Sequence, residues 1–473
     1  MSPDVIGMSI LVLALFLVLG MMIRFLVPVF QTLFLPSSII GGFLALLIGP
    51  QVLGRLLDLS VDEGSIFKDG LIPNDFMEVW STLPGLLINL IFAGLFLGKK
   101  IPSPKKMWNL AGPQITFGMT LGWGMYVIGL LLALFVLNPF FGLPYMAGVL
   151  LEIGFEGGHG TAAGLRETFS QLDFEEGTDI ALGLATVGII AGTAIGMVLI
   201  NYGIRKNKTQ VIEKKQDSES KDWETFEKNA ERESAGELTV KSSILESLTL
   251  HVAFFGLAVV IGYGLLQGLI LLESVTWGDW TGTYVMEYVP VFPLAMLGSV
   301  LIQLVHDRFS DKYKVIDRGL VNRIQGFALD VLIISSIASL SLSAIGEHLV
   351  PFLILAGAGI LWTLLAFIFI APRVMPDYWF ERAIGHFGQA IGMTATGLLL
   401  VKVVDPDDKS PATDGFGYTQ LVFEPFLGGG LFTAASVILV SSFGPVPILI
   451  FTAVLFFFWL CLGIFHFGRQ QEE

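Results

Sequence analysis

The chain has 473 residues, 53% of them hydrophobic and only 14% charged, with 54 glycines, a formal net charge of -14 and a mean hydropathy of +0.74. Soluble domains carry about a quarter charged residues, so a water-soluble globule is excluded, and the acidic balance excludes a nucleic-acid partner, which needs a basic face. The single cysteine, Cys461, excludes an intrachain disulfide and a cysteine metal cluster.

Asp4 precedes the first basic residue, Arg24, whereas a cleavable signal peptide opens with a basic region. Residues 5–27 are therefore expected to form a first membrane span. Apolar runs of about 17 to 25 residues place further spans at 37–53, 80–97, 110–137, 180–202, 244–272, 291–305, 327–349, 352–370, 421–440 and 448–467, eleven in all. Two more apolar stretches, 146–165 and 383–401, are interrupted by clusters of Gly, His and Thr.

Lys and Arg collect on the cytoplasmic side of a membrane. With both interrupted stretches folded back as hairpins and the N-terminus outside, 24 of the 27 basic residues fall in the cytoplasm, and only Arg55, Lys68 and Arg166 fall outside. With both stretches crossing, the better orientation gives 18 against 9. The charges favour two opposed re-entrant hairpins, the first entering from outside and the second from the cytoplasm, with a cytoplasmic C-terminus.

Residues 203–243 hold nine basic and nine acidic residues and read as a solvated cytoplasmic linker. It divides the chain into an N-terminal repeat (1–202, hairpin 146–165) and a C-terminal repeat (244–445, hairpin 383–401). Five crossings per half turn the second repeat upside down, which is the pattern of transporters whose site lies between inverted halves. The expected fold is thus an all-α polytopic membrane protein of two inverted five-helix repeats, each with a re-entrant hairpin, plus an extra helix and tail at 446–473. Small-residue ladders after each hairpin, Gly188, Gly192 and Gly196, then Gly428 to Gly430 and Ala434, permit close backbone approach. The bland reading is helix packing; the functional one is that a hairpin docks there, since irregular backbone cannot face lipid.

The first hairpin carries Gly154-Phe155-Glu156-Gly157-Gly158-His159-Gly160-Thr161, and the second carries Gly385-His386-Phe387-Gly388-Gln389 through Thr394-Ala395-Thr396. Glycines expose amides that can cradle a carboxylate, and free carbonyls can face a cation. The candidate substrate-binding residues are Gly157, Gly158, His159, Gly160, Thr161, His386, Gly388, Gln389, Thr394 and Thr396. His159 and His386 are read either as proton carriers or as neutral imidazoles bonding backbone in a tight turn. Glu152 and Glu156 lie one turn apart, and ionisable groups at membrane depth default to functional hypotheses. Asp330 and Glu424 are further acids within spans, each with hydration as the plain reading. His251, alone in its span, is read as a packed histidine. Trp277, Trp280, Tyr284 and Tyr288 read as an interfacial belt.

The sequence resembles the bacterial sodium/glutamate symporter family in Gly157-Gly158-His159-Gly160-Thr161, in Gly385-His386 to Thr394-Ala395-Thr396, in Pro36-Ser37 to Gly42 and in Ala185-Thr186-Val187-Gly188. The likeness spans roughly residues 1 to 440. It implies a sodium-coupled carrier, a homodimer, in which a core domain holding both hairpins moves past a scaffold. Glu156 and Thr186 are the candidate sodium ligands; no other cofactor is implied. Against the family pattern, Glu156 stands where Ser is usual, Gln389-Ala390 replaces Phe-Gly, Ala395 replaces Pro and Leu400 replaces Asn. A carboxylate at position 156 would repel an anionic substrate unless it is protonated or holds the cation.

The function expected is symport of an organic anion, glutamate or a related dicarboxylate, with sodium, across a cell inner or plasma membrane by a multi-pass protein that is not an enzyme. A proton- or sodium-coupled carrier of a different anion is the alternative. A channel with paired hairpins would carry Asn-Pro-Ala at both tips, whereas Asn138-Pro139 has no counterpart. An intramembrane hydrolase would need a positioned nucleophile and base, and the zinc-protease His-Glu-x-x-His spacing is missing.

Overall fold

A computed structural model describes residues 2–32, 35–54, 71–100, 103–211, 234–241, 243–281, 284, 286–308, 314–405 and 409–468. Arg55, Lys68, Lys312 and Arg469 of the charge count, and most of the linker (212–233), lie outside them. Every regular element among the described residues is helical. Ten helices are long and apolar enough to cross a membrane, the form in which a chain satisfies its own backbone polar groups without water. Those used below are α1 (Pro3–Leu26), α2 (Ser37–Ile48), α3 (Asn74–Ala93), α4 (Pro104–Leu132), α5 (Leu150–Phe155), α6 (Gly158–Gly164), α7 (Arg166–Gln171) and α8 (Glu176–Arg205). They continue with α9 (Ser247–Glu273), α10 (Phe292–Asp307), α11 (Arg318–Ala338), α12 (Leu349–Phe369), α13 (Trp379–Val404), α14 (Ala412–Phe423), α15 (Leu431–Phe443) and α16 (Pro445–Leu462).

The count of eleven spans needs correction. The run 291–305 becomes α10, only 16 residues long, shorter than the ten. The run 421–440 is not one helix: it breaks over 424–430 between α14 and α15. Pro425 lacks an amide donor, and Gly428 and Gly429 sit at positive φ (64° and 102°), where a side chain would be strained. Gly428 to Gly430 therefore form a helix break and not a ladder along one helix.

The span expected at 327–349 lies instead at Arg318–Ala338. Asp317 caps its start by accepting from Leu320 N at 3.0 Å. Its polar first turns are absorbed by α3: Arg318 Nη1 donates to the carbonyls of Gly94 and Leu97, both at 2.7 Å, and Gln325 Nε2 to that of Ile91 at 2.7 Å. Gly94 caps the C-terminus of α3 and Leu97 lies in the turn beyond it, so the guanidinium satisfies carbonyls left open there and sits favourably at the negative end of the helix dipole.

The apolar interior falls into two bodies. The largest cluster is drawn almost entirely from residues 111–200 and 340–448, with Trp80 and Phe92 outside it. The remaining large clusters join α1, α2, α3, α9, α10 and α11, with Ile189 of α8 and Ala434 of α15 packed into them from the first body. In this second body two helix pairs approach through glycine. A Cβ on Gly41 of α2 would collide with the Phe16 carbonyl of α1, and one on Gly298 of α10 with the Ala258 carbonyl of α9. Between these pairs α3 packs along α11. His251 is a packed histidine with both ring nitrogens used: Nδ1 bonds the Ser247 carbonyl at 2.7 Å and Nε2 accepts from Asp317 N at 2.8 Å.

These close approaches give a paired prediction. Gly298→Leu should destabilise the protein by about 1–3 kcal/mol, the usual cost of overpacking. Gly264→Ala, where an added Cβ meets nothing within 4 Å, should stabilise α9 by roughly 0.5–1 kcal/mol. Thermal unfolding of the detergent-solubilised variants measures both.

Candidate functional site

The stretch 145–171 is built of short helical pieces because its sequence alternates apolar residues with glycine. A 3-10 turn, Tyr145–Val149, leads into α5; the chain then breaks at Glu156-Gly157, where Gly158 takes φ +70°, and resumes as α6 and α7. Three contacts track its inward path along α4 in reverse order. Gly148 meets Gly129, Glu152 meets Tyr126, and a Cβ on Gly122 would lie 2.7 Å from Glu156 Oε2. The outward path runs beside α3: Gly160 and Gly164 face Ile88, and Thr168 Oγ1 donates to the Tyr288 carbonyl at 3.1 Å.

Helix α13 contains a second reversal. Gly392 and Met393 leave helical geometry, Met393 at φ 70°, ψ 169°. A Cβ on Gly388 would lie 2.8 Å from Gly397 Cα, and one on Gly385 2.6 Å from Val401 Cγ2. In an unbroken helix residues nine apart would be separated by roughly 13 Å, so the two arms lie against each other. The two turns meet tip to tip: a Cβ on Gly158 would strike the Met393 side chain, 3.6 Å from its Cβ.

Each turn is held by the other half of the chain. The ladder on α8 receives the second: Gly188 lies against the Ile391 carbonyl, Gly192 against Gly392 N and Gly196 against Leu400. The break between α14 and α15 receives the first. Glu152, fully buried, accepts from Gly428 N (2.7 Å), Thr433 Oγ1 (2.8 Å) and Tyr126 OH (2.6 Å).

Of the expected site residues, Glu156, Gly157, Gly158, His159, Gly160 and Thr161 lie together at the first turn. Glu156 is 4% exposed, and its Oε2 is enclosed without a partner, beside Phe423 and Leu427. His159 Nε2 pairs with Thr186 Oγ1 at 2.9 Å, while Thr186 donates to the Leu182 carbonyl at 2.9 Å. Thr161 Oγ1 donates to the Gly157 carbonyl at 3.0 Å and faces Gly429.

At the second turn Gln389 makes a reciprocal amide pair with Gln420 (2.8 and 3.0 Å) and reaches Thr394 Oγ1 at 3.4 Å. Thr396 Oγ1 donates to the Gly392 carbonyl. Gly388 stands where the arms touch. His386 is not with His159: it packs against Gly118, Phe117 and Phe416, well below the tip.

Sequence reasoning missed Tyr126, Gln420 and Thr433, which come from elements remote in the chain; Gly428 it named only within a ladder on which a hairpin could dock, and Met393 only as part of the second hairpin. Glu424, in the α14–α15 break, feels the charges of Lys99 and Arg318, and its Oε2 is enclosed without a hydrogen-bond partner. Burial pushes the Lys99 ammonium below the usual lysine range, with Glu424 opposing.

A family model described as sodium/glutamate symporter matches residues 115–406, more than half of the chain and inclusive of both turns. A curated sodium/glutamate symporter from Haemophilus influenzae is 28% identical over 197 residues, which cover 41% of this chain and 43% of that relative. The chain thus matches less than half of the relative's length.

The three donors on Glu152 set a graded prediction. Tyr126→Phe should cost roughly 1.5–3 kcal/mol, the worth of a hydrogen bond to a charged group. Glu152→Ala, which strands a buried amide and hydroxyls as well, should cost more. Chemical or thermal unfolding of the two variants checks the order.

Proposed function

This chain belongs to the sodium/glutamate symporter family, and from that premise we propose that it is a sodium-coupled carrier of glutamate or a related dicarboxylate, with its site between two opposed re-entrant hairpins. The observation that carries the proposal is the meeting of Gly158 with Met393, each at a helix reversal. Irregular backbone at membrane depth is tolerated only where protein or a water-filled cavity surrounds it, and here α3, α4 and the α14–α15 break enclose the first turn while α8 and α14 enclose the second.

The inverted repeats, 1–202 and 244–445, draw support from matching packing. The pair α1–α2 and the pair α9–α10 close through glycine in the same way, and α3 and α11 pack as counterparts between them. The segment 446–473 has no counterpart. The two apolar bodies suit a core holding both hairpins and a scaffold past which it moves. The protein is placed as a homodimer in an inner or plasma membrane, N-terminus outside and C-terminus cytoplasmic, with 203–243 as the cytoplasmic linker.

Coupling follows from charge. Glu152 has its charge spread over three donors, whereas Glu156 beside it has an oxygen with none. An unpaired buried carboxylate costs several kcal/mol, so Glu156 is the group that gains most from a cation, with Thr186, hydrogen-bonded to His159, as a second oxygen. An empty site repels an anionic substrate; a sodium ion at Glu156 removes that repulsion, and by linkage the bound anion tightens sodium to the same degree. The substrate's carboxylate is then received by the amides of the Gly157–Gly160 turn and by Gln389, Thr394 and Thr396 from the facing one. In this scheme His159 and His386 act as uncharged parts of the walls.

The test uses proteoliposomes of the full chain. Labelled glutamate should accumulate only under an inward sodium gradient, and Glu156→Gln should lower the sodium dependence of the uptake that remains. Uptake by the wild type without any sodium gradient contradicts the coupling, and unchanged sodium dependence in Glu156→Gln removes that residue from it.

A further inference from the structure

A groove of about 600 Å³ runs along the outer surface of the α9–α10 pair. The two helices close at glycine, where a Cβ on Gly262 would strike Ala295 N and one on Gly298 the Ala258 carbonyl. From that crossing toward the ends at Phe254 and His306 the groove opens. Phe254, Leu257 and Ile261 form one wall, Leu301 and Val305 the other, and Val315 closes the end. Leu257, Leu301 and Val305 are exposed, so the groove is reached directly from outside.

The rise from Phe254 to Ile261 is roughly 10 Å, about two thirds of one leaflet's half of the ~30 Å hydrocarbon core. An exposed apolar wall on a membrane span meets hydrocarbon, and an empty groove there forfeits dispersion contacts along its length. Water does not fill it, since apolar cavities stay dry. In the proposed orientation α9 begins and α10 ends on the cytoplasmic side. The groove then lies in the cytoplasmic leaflet, with its Val315 end among the headgroups.

That end presents cations. His306 Nε2 accepts from Val315 N at 3.2 Å and from Ile316 N at 3.4 Å, which fixes the stretch 314–316 against the last turn of α10. Lys314, next to Val315, and Arg308, just past His306, are both exposed, and among the described residues neither side chain has a hydrogen bond or ion pair. The acids beside them are engaged. Asp307 accepts from Gln303 Nε2 at 2.7 Å, and Asp317 accepts from Leu320 N and Glu237 N.

We infer that this groove is a binding site for an anionic phospholipid of the cytoplasmic leaflet, with one acyl chain between α9 and α10 and the headgroup facing Lys314 and Arg308. A zwitterionic lipid offers the same chain without the net charge that two free cations attract. A second copy of this chain is a poor occupant: a two-fold interface sets the same patch against itself, which brings like charges together. The site goes beyond the carrier reading and shares only its orientation, so it stands or falls whatever the solute and coupling ion are.

The test puts a fluorophore on Leu304→Cys, exposed beside the groove, in a Cys461→Ser background. The full chain is reconstituted in phosphatidylcholine vesicles holding a rising fraction of lipid brominated on its acyl chains, which quenches the label on contact. Brominated phosphatidylglycerol should quench at a lower fraction than brominated phosphatidylcholine, each cation giving roughly a fivefold preference. Arg308→Gln with Lys314→Gln should bring the preference close to one. A label at Val454→Cys, exposed on α16, should show none in either protein. Leu301→Trp, which fills the groove, should lower the preference with both cations kept; Val305→Trp stands in should that variant not fold. Equal quenching by the two lipids at position 304, the same preference at 454, a preference untouched by the double Gln variant or by the Trp, or a label at 304 that neither lipid reaches, as in an interface between copies, each overturns the inference.

Discussion

A carboxylate removed from water and given three donors is the contact on which the arrangement depends. Glu152 lies on the inward arm of the first turn, and two of its donors, Gly428 N and Thr433 Oγ1, come from the break between α14 and α15, nearly 280 residues later. Buried charge that is fully hydrogen-bonded is costly to disturb, since removing any one partner leaves the rest unsatisfied. The bond therefore does two things at once. It pins a helix break that apolar packing alone would leave free to straighten, and it fixes where Glu156, one turn on, presents its unpaired oxygen.

The reverse contact completes the exchange between halves. The α8 glycines leave room for the Ile391 carbonyl and the Gly392 backbone, so the second turn rests on a helix from the first half just as the first rests on a break in the second. Close approach of backbones needs residues without side chains, and that explains why α8 carries glycine at every fourth position. Two turns held in this crossed way come to face each other without either needing to be stable alone.

Much of this was legible in the sequence, and the remainder has a physical reason for being hidden. Apolar runs record contact with lipid, so eight of the ten long apolar helices fall on expected spans, a ninth, Arg318–Ala338, overlaps its expected span in part, and the tenth contains the interrupted stretch 383–401. Hydropathy cannot register a broken helix that stays apolar, which is why 424–430 read as packing. It also overlooks polar turns absorbed by a neighbouring helix, as with Arg318 and Gln325. The glycine-rich turns were visible as motifs. Their partners Tyr126, Thr433 and Gln420 were not, because a single hydroxyl or amide in an apolar run gains meaning only from what faces it.

The central claim, that the two turns meet, is open to a direct measurement. The Cβ positions of residues 158 and 393 are 3.6 Å apart, within the range of a disulfide. In a Cys461→Ser background, Gly158→Cys with Met393→Cys should cross-link under mild oxidation, so that after cleavage at a protease site introduced within residues 212–233 the halves stay joined until reduced. Halves that separate under oxidising conditions would contradict the account.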